Sequence, residues 1–105
     1  FIEDMDRIGR GDDISMMVFT EFGRRVPENA SGGTDHGTAT PVYVIGNKVK
    51  GGQYGTPPSL TELDNGNLVH TTDYRRVYAS LINEWLGVQA KDVLHGEFAG
   101  LNIFG

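Results

Sequence analysis

Three side chains in the first half of the chain have the types and spacing to do chemistry. They are Glu21, Asp35 and His36. Glu21 directly follows the apolar run Ile14-Ser15-Met16-Met17-Val18-Phe19-Thr20. A buried strand ending there delivers a carboxylate to the rim of a sheet, where it is costly unless a cation or hydrogen-bond donors meet it. Asp35 and His36 stand between Gly33 and Gly37, which let a carboxylate and an imidazole approach an ion without crowding from Cβ atoms. Carboxylate plus imidazole suits zinc, manganese or iron better than calcium. The three residues are therefore candidate metal ligands. Each has a plainer alternative: Glu21 can bridge to Arg24 or Arg25, and a histidine in a loop usually makes only a local hydrogen bond.

The elements that must position these groups are read from hydrophobic pattern. Ile2, Met5 and Ile8 repeat at helical spacing over residues 1–9, and Gly9 and Gly11 end that helix. Residues 14–20 and 41–45 are apolar without polar alternation, the habit of strands covered on both faces in a parallel sheet. Between them, residues 23–40 show no periodicity and read as one long loop of a functional kind. Lys48-Val49-Lys50 reads as a short edge strand, and residues 51–59 as a loop. Tyr74, Val77, Tyr78, Leu81, Ile82, Trp85 and Leu86 form the clearest stripe, a helix over about 73–86 with Thr72 as N-cap and Gly87 just past its end. The tail from Val88 to Gly105 is expected to wrap the surface. A strand, a loop with ligands, a second strand and a helix predict an α/β layered fold.

Composition narrows the classes. With 38 % hydrophobic and 10 % aromatic residues the chain is globular, not disordered. Its 105 residues match one modest domain. A net charge of −5 and only isolated arginine pairs argue against nucleic acid as a partner. The absence of cysteine excludes disulfides. No stretch reaches the roughly 20 apolar residues of a membrane span. The chain opens on Phe1, and its first residues look like a helix already under way, so a fragment of a longer protein is expected. Exposed sheet edges in such a fragment favour a homodimer.

Several lesser motifs carry little. His70 lies just before the helix cap and His95 in the tail, and both read as local hydrogen-bonding groups. Arg10-Gly11-Asp12 is a chance tripeptide in an acidic turn. Asn29-Ala30-Ser31 matches a glycosylation acceptor, which matters only in a eukaryotic secretory setting. Gly51-Gly52-Gln53-Tyr54-Gly55 lacks the lysine and the strand-to-helix setting of a phosphate-cradling loop.

Longer motifs point further. Phe19-Thr20-Glu21-Phe22-Gly23-Arg24-Arg25, followed by Asn29-Ala30-Ser31-Gly32-Gly33-Thr34-Asp35-His36-Gly37, resembles the signature of the DUF1501 family. Val49-Lys50-Gly51-Gly52, Thr72-Asp73-Tyr74-Arg75, Val77-Tyr78-Ala79 and Trp85-Leu86-Gly87 extend the resemblance over almost the whole chain, as that family's C-terminal portion. The resemblance implies a bacterial, exported (periplasmic or secreted) protein of the alkaline phosphatase and sulfatase superfamily. It also implies a partial three-layer αβα sheet of mostly parallel strands, with residues 1–105 as one C-terminal fragment of a larger domain. By position in the strands, Glu21 and His36 become metal ligands, with Asp35 beside them and zinc, manganese or a similar divalent ion as cofactor. Phe22 stands where relatives carry a ligand histidine. Arg24 becomes a catalytic cation toward the transferred oxyanion. The implied function is part of a metal-dependent sulfuric- or phosphoric-ester hydrolase, inactive alone, whose nucleophile belongs to the remainder of the parent chain. The alternative is a non-catalytic exported protein with a binding or assembly role.

Overall fold

Local sequence explains the order of elements in the computed structural model, which describes residues 1–105. Helix α1 (Ile2–Arg7) turns its half-buried Ile2 and Met5 inward and leaves its charges in water. A 3₁₀ turn at Gly11–Asp13 follows, and then come β1 (Met16–Val18), β2 (Gly23–Glu28), β3 (Thr34–Gly37) and β4 (Tyr43–Ile45). A second small hairpin, β5 (Leu63–Asp64) and β6 (Asn67–Leu68), precedes helix α2 (Tyr74–Ser80). A π-helical turn at Leu81–Trp85 prolongs α2, and helix α3 (Ala90–Leu94) precedes the final extended segment. No helix is long and apolar enough to cross a membrane.

The chain divides into two compact units. One comprises Phe1–Met16, Val44–Gly55 and Thr72–Gly105, the other Met17–Tyr43 and Thr56–Thr71. The first holds the buried core, with Val77, Ala79, Ser80, Ala90 and Ile103 its enclosed residues. Asp73 caps α2 by accepting the Arg75 amide at 2.9 Å, one residue later than the expected cap. Gly87 takes a left-handed conformation (φ +67°) just past the helical stretch, as its position predicts. In the same unit Asn47 Nδ2 donates to Asp6 Oδ1 at 2.6 Å and to Asp12 Oδ1 at 3.3 Å. Lys48 Nζ lies 3.1 Å from Asp12 Oδ2. The Asp12 carboxyl is held below its ordinary range, first by the Lys48 hydrogen bond, then by the Asn47 bond and the Lys48 charge.

The last residues do more than wrap the surface. Ile103 is 4 % exposed, and the backbone around it is held at both edges. Leu101 N donates to the fully buried Ser80 Oγ at 2.7 Å. Asn102 N and Phe104 N donate to the two carboxylate oxygens of Glu84 at 3.1 and 3.2 Å. Lys50 N donates to Ile103 O at 2.7 Å, and Val49 forms an isolated antiparallel bridge with Phe104. The Phe104 ring stacks on Trp85 with centroids 5.6 Å apart. The expected edge strand at 48–50 is thus a single bridge to the tail.

The expected three-layer αβα sheet of mostly parallel strands is not formed. The strands make three two-stranded sheets, β1 with β4, β2 with β3 and β5 with β6. The pairs β2–β3 and β5–β6 run antiparallel. Chain length between the strands decides this. Five residues join β2 to β3 and two join β5 to β6, whereas a parallel return needs a crossover of about a dozen or more residues. The apolar runs also yield shorter strands than expected. In residues 14–20 only Met16–Val18 is strand, and Val18 and Phe19 are 51 % and 61 % exposed. The stretch 23–40, expected to be a loop, carries the longest strand of the chain.

Candidate functional site

The candidate residues lie in the second unit, on and beside the β2–β3 hairpin. Its register pairs Gly23 with Gly37, Arg24 with His36 and Glu28 with Thr34. Three residues of β2 face one of β3 between the last two pairs, so Arg25, Val26 and Pro27 form a bulge. Pro27 is tolerated there because no ladder donor is required of it. The Gly23–Gly37 pair is a close backbone approach. A Cβ on Gly37 would stand 2.6 Å from the Arg24 carbonyl carbon, and one on Gly23 would collide with the Ala39 carbonyl.

The loop at residues 29–33 is built by one side chain. Asn29 Oδ1 accepts from Ser31 N and Gly33 N, both at 3.0 Å, closing a turn of the kind asparagine favours. Asn29 Nδ2 then donates to Asp35 Oδ1 at 3.1 Å. The other oxygen of Asp35 stands 4.0 Å from Arg25 Nη1. Arg25 Nη2 donates to the Asn65 carbonyl, and Val26 N donates to Gly66 O at 3.1 Å, so the β5–β6 turn sits on the bulge. Gly66 takes φ +82°, a backbone conformation that L side chains rarely adopt, so the turn favours glycine here.

His36 stands on the other face. Successive residues of a strand point to opposite sides, so Asp35 and His36 leave β3 in opposite directions. Directly opposed residues share a face, which puts His36 beside Arg24. Arg24 Nη1 donates to Thr34 O at 2.7 Å, laying the guanidinium along β3. Neither Arg24 nor His36 has a carboxylate within ion-pair distance. The His36 ring lies 5.3 Å from the Phe22 ring, with the planes tilted by 48°. Glu21 stands in the bend before β2, exposed and in no ion pair, so neither Arg24 nor Arg25 takes it as a partner. Its carbonyl accepts from Gly23 N at 3.2 Å, and Phe22 N donates to Thr20 Oγ1 at 3.1 Å. These short-range bonds shape the bend.

The hairpin thus gathers Arg24, His36 and Phe22 on one face and Asp35, Asn29 and Arg25 on the other. No three His, Asp or Glu side chains come together closely enough to hold a metal ion. A cation shared by Asp35 and His36 requires one of them to cross the ladder, with Asp35 leaving Asn29. Two residues of the hairpin escape a reading by motif. Asn29 reads as a glycosylation acceptor, although its spacing to Gly33 also fits a side-chain-closed turn. Phe22 reads only as the place of a missing histidine, although an aromatic two residues before Arg24 shares its face in an extended chain.

The family model described as a protein of unknown function (DUF1501) matches residues 1–95. The chain belongs to the DUF1501 family. No curated protein and no solved structure matches it. The match takes in the β2–β3 hairpin and all its site residues, so the arrangement of Arg24, His36 and Phe22 lies inside the part of this DUF1501 chain that the family defines.

Proposed function

We propose that the Arg24–His36 face of the hairpin binds the oxyanion of a phosphoric or sulfuric ester. The chain then contributes to an ester hydrolase whose nucleophile is carried elsewhere in the parent protein. What carries this reading is the cross-strand opposition of Arg24 and His36 with no carboxylate to neutralise the arginine. Guanidinium and imidazole groups on directly opposed strand positions share a face, where both can donate to one tetrahedral anion. Charge-assisted hydrogen bonds of this kind are about twice as strong as neutral ones. The β-ladder holds the two residues, and the bond from Arg24 to Thr34 O orients the guanidinium before a ligand arrives. An oxyanion that gains charge during ester cleavage is stabilised by such fixed donors.

A divalent ion at Glu21, Asp35 and His36 is the rival use of the same residues, and it supplies Lewis-acid chemistry when bound. The hydrogen bond Asp35 accepts from Asn29 and its 4.0 Å ion pair with Arg25 favour a different second reading, in which that face only braces the loop. In that reading the protein is a non-catalytic exported bacterial protein with a binding or assembly role.

Calorimetric titration with inorganic phosphate, and separately with zinc and manganese, separates these readings. The oxyanion reading expects saturable phosphate binding that weakens about tenfold or more in Arg24→Gln and in His36→Gln. Zinc or manganese binding that disappears in His36→Ala establishes the metal reading instead. With neither ligand bound, the bracing role remains.

A further inference from the structure

The aromatic ring beside Arg24 and His36 points to the kind of molecule that carries the oxyanion, an inference that rests on the oxyanion reading above. Phe22 is 57 % exposed, yet it is in contact with the hairpin. Its ring packs against His36 at 5.3 Å, and its backbone is held by the Thr20 hydroxyl on one side and the first β2 pair, Gly23–Gly37, on the other. A single exposed aromatic needs no explanation by itself. This one touches one member of the cross-strand pair Arg24–His36. Its free side can take a second flat group at the offset or edge-on geometry that aromatic pairs prefer. Gly23, between Phe22 and Arg24, has no side chain to stand in the way.

We infer that the hairpin recognises an oxyanion bearing an aromatic group within one or two bonds, with the anion on Arg24 and His36 and the ring on Phe22. Inorganic phosphate then fills half of the site. An alkyl ester fills the same half and gains little more.

Three probes of the same anionic type test this on the full chain by calorimetry: inorganic phosphate, methylphosphonate and phenylphosphonate. Phenylphosphonate is expected to bind roughly threefold to tenfold tighter than methylphosphonate, the range of one aromatic pair. In Phe22→Leu the ratio between those two should fall to near one, and in Phe22→Tyr it should persist. Equal binding of the two phosphonates, with inorganic phosphate still bound, overturns the aromatic inference and leaves the oxyanion reading standing. A phenyl preference that survives in Phe22→Leu also overturns it, because the ring then lies elsewhere. Failure of all three anions to bind removes both.

Discussion

The helical unit and the β2–β3 hairpin use polar side chains in opposite ways. Around α2 they are engaged with the chain's own backbone. Ser80 Oγ takes Leu101 N, Glu84 takes Asn102 N and Phe104 N, Arg76 Nε donates to Ala99 O, and Asn83 Oδ1 accepts from Ala90 N. On the hairpin, Asn29 takes two backbone amides and its side chain donates to Asp35, but Arg24 commits one nitrogen and His36 only a ring contact with Phe22. Polar groups that satisfy buried backbone are structural. Polar groups held by a rigid ladder and left with open donors are available for a ligand. The difference predicts that substitutions in the first region alter stability, and that those on the Arg24–His36 face alter binding.

The largest loss of stability is expected from Ile103→Ala. Removing a buried isoleucine side chain costs about 2–5 kcal/mol, read as a lowered urea midpoint. Ser80→Ala follows. It strands the Leu101 amide at a cost of about 1–3 kcal/mol, and hydrogen exchange at that amide should accelerate. Asn29→Ala removes three hydrogen bonds at a partly exposed site, so about 1 kcal/mol is expected, with broadened resonances confined to residues 29–35. Arg24→Gln and His36→Gln should stay within about 0.5 kcal/mol of the parent while losing anion binding. A destabilisation comparable to that of Ser80→Ala would erase the contrast. The smallest effect is one of pH. Because the Asp12 carboxyl is depressed from 3.8, its link to Lys48 and Asn47 is fully present above that value and is lost as the pH falls through the lower folded one. The Asn47 side-chain resonances should shift in that acid range, and Lys48→Met should move the midpoint of that shift up toward the ordinary carboxylate value.

Legibility in the sequence followed the scale of the signal. The helix over 73–86 was readable because seven apolar residues repeat at a 3.6-residue period, and α2 with its π turn fills Tyr74–Trp85. The β5–β6 hairpin went unread although Asn65-Gly66 is a strong turn dipeptide, because its strands are two residues each, too short to alternate. The β2–β3 hairpin was hidden for another reason. A bulge at Arg25–Pro27 breaks the period of two, and glycines at both ends look like loop. The parallel sheet failed because unalternated apolar runs record only that both faces are apolar. They do not say which strand lies alongside. Of the candidate residues, Asp35 and His36 were legible as chemistry but not as facing apart, since that requires knowing they occupy a strand. Arg24 opposite His36 depends on register, which adjacent sequence does not encode.

The most direct test of the central claim is a nuclear magnetic resonance titration of the chain with inorganic phosphate, following the Arg24 side-chain N–H groups and the His36 ring together. The arrangement predicts saturable shifts at both groups with a single binding constant, and no comparable change at Arg25, Asp35 or Asn29 on the opposite face. Shifts at only one of the two groups, or a response on the Asp35 face as large as that at His36, would contradict it.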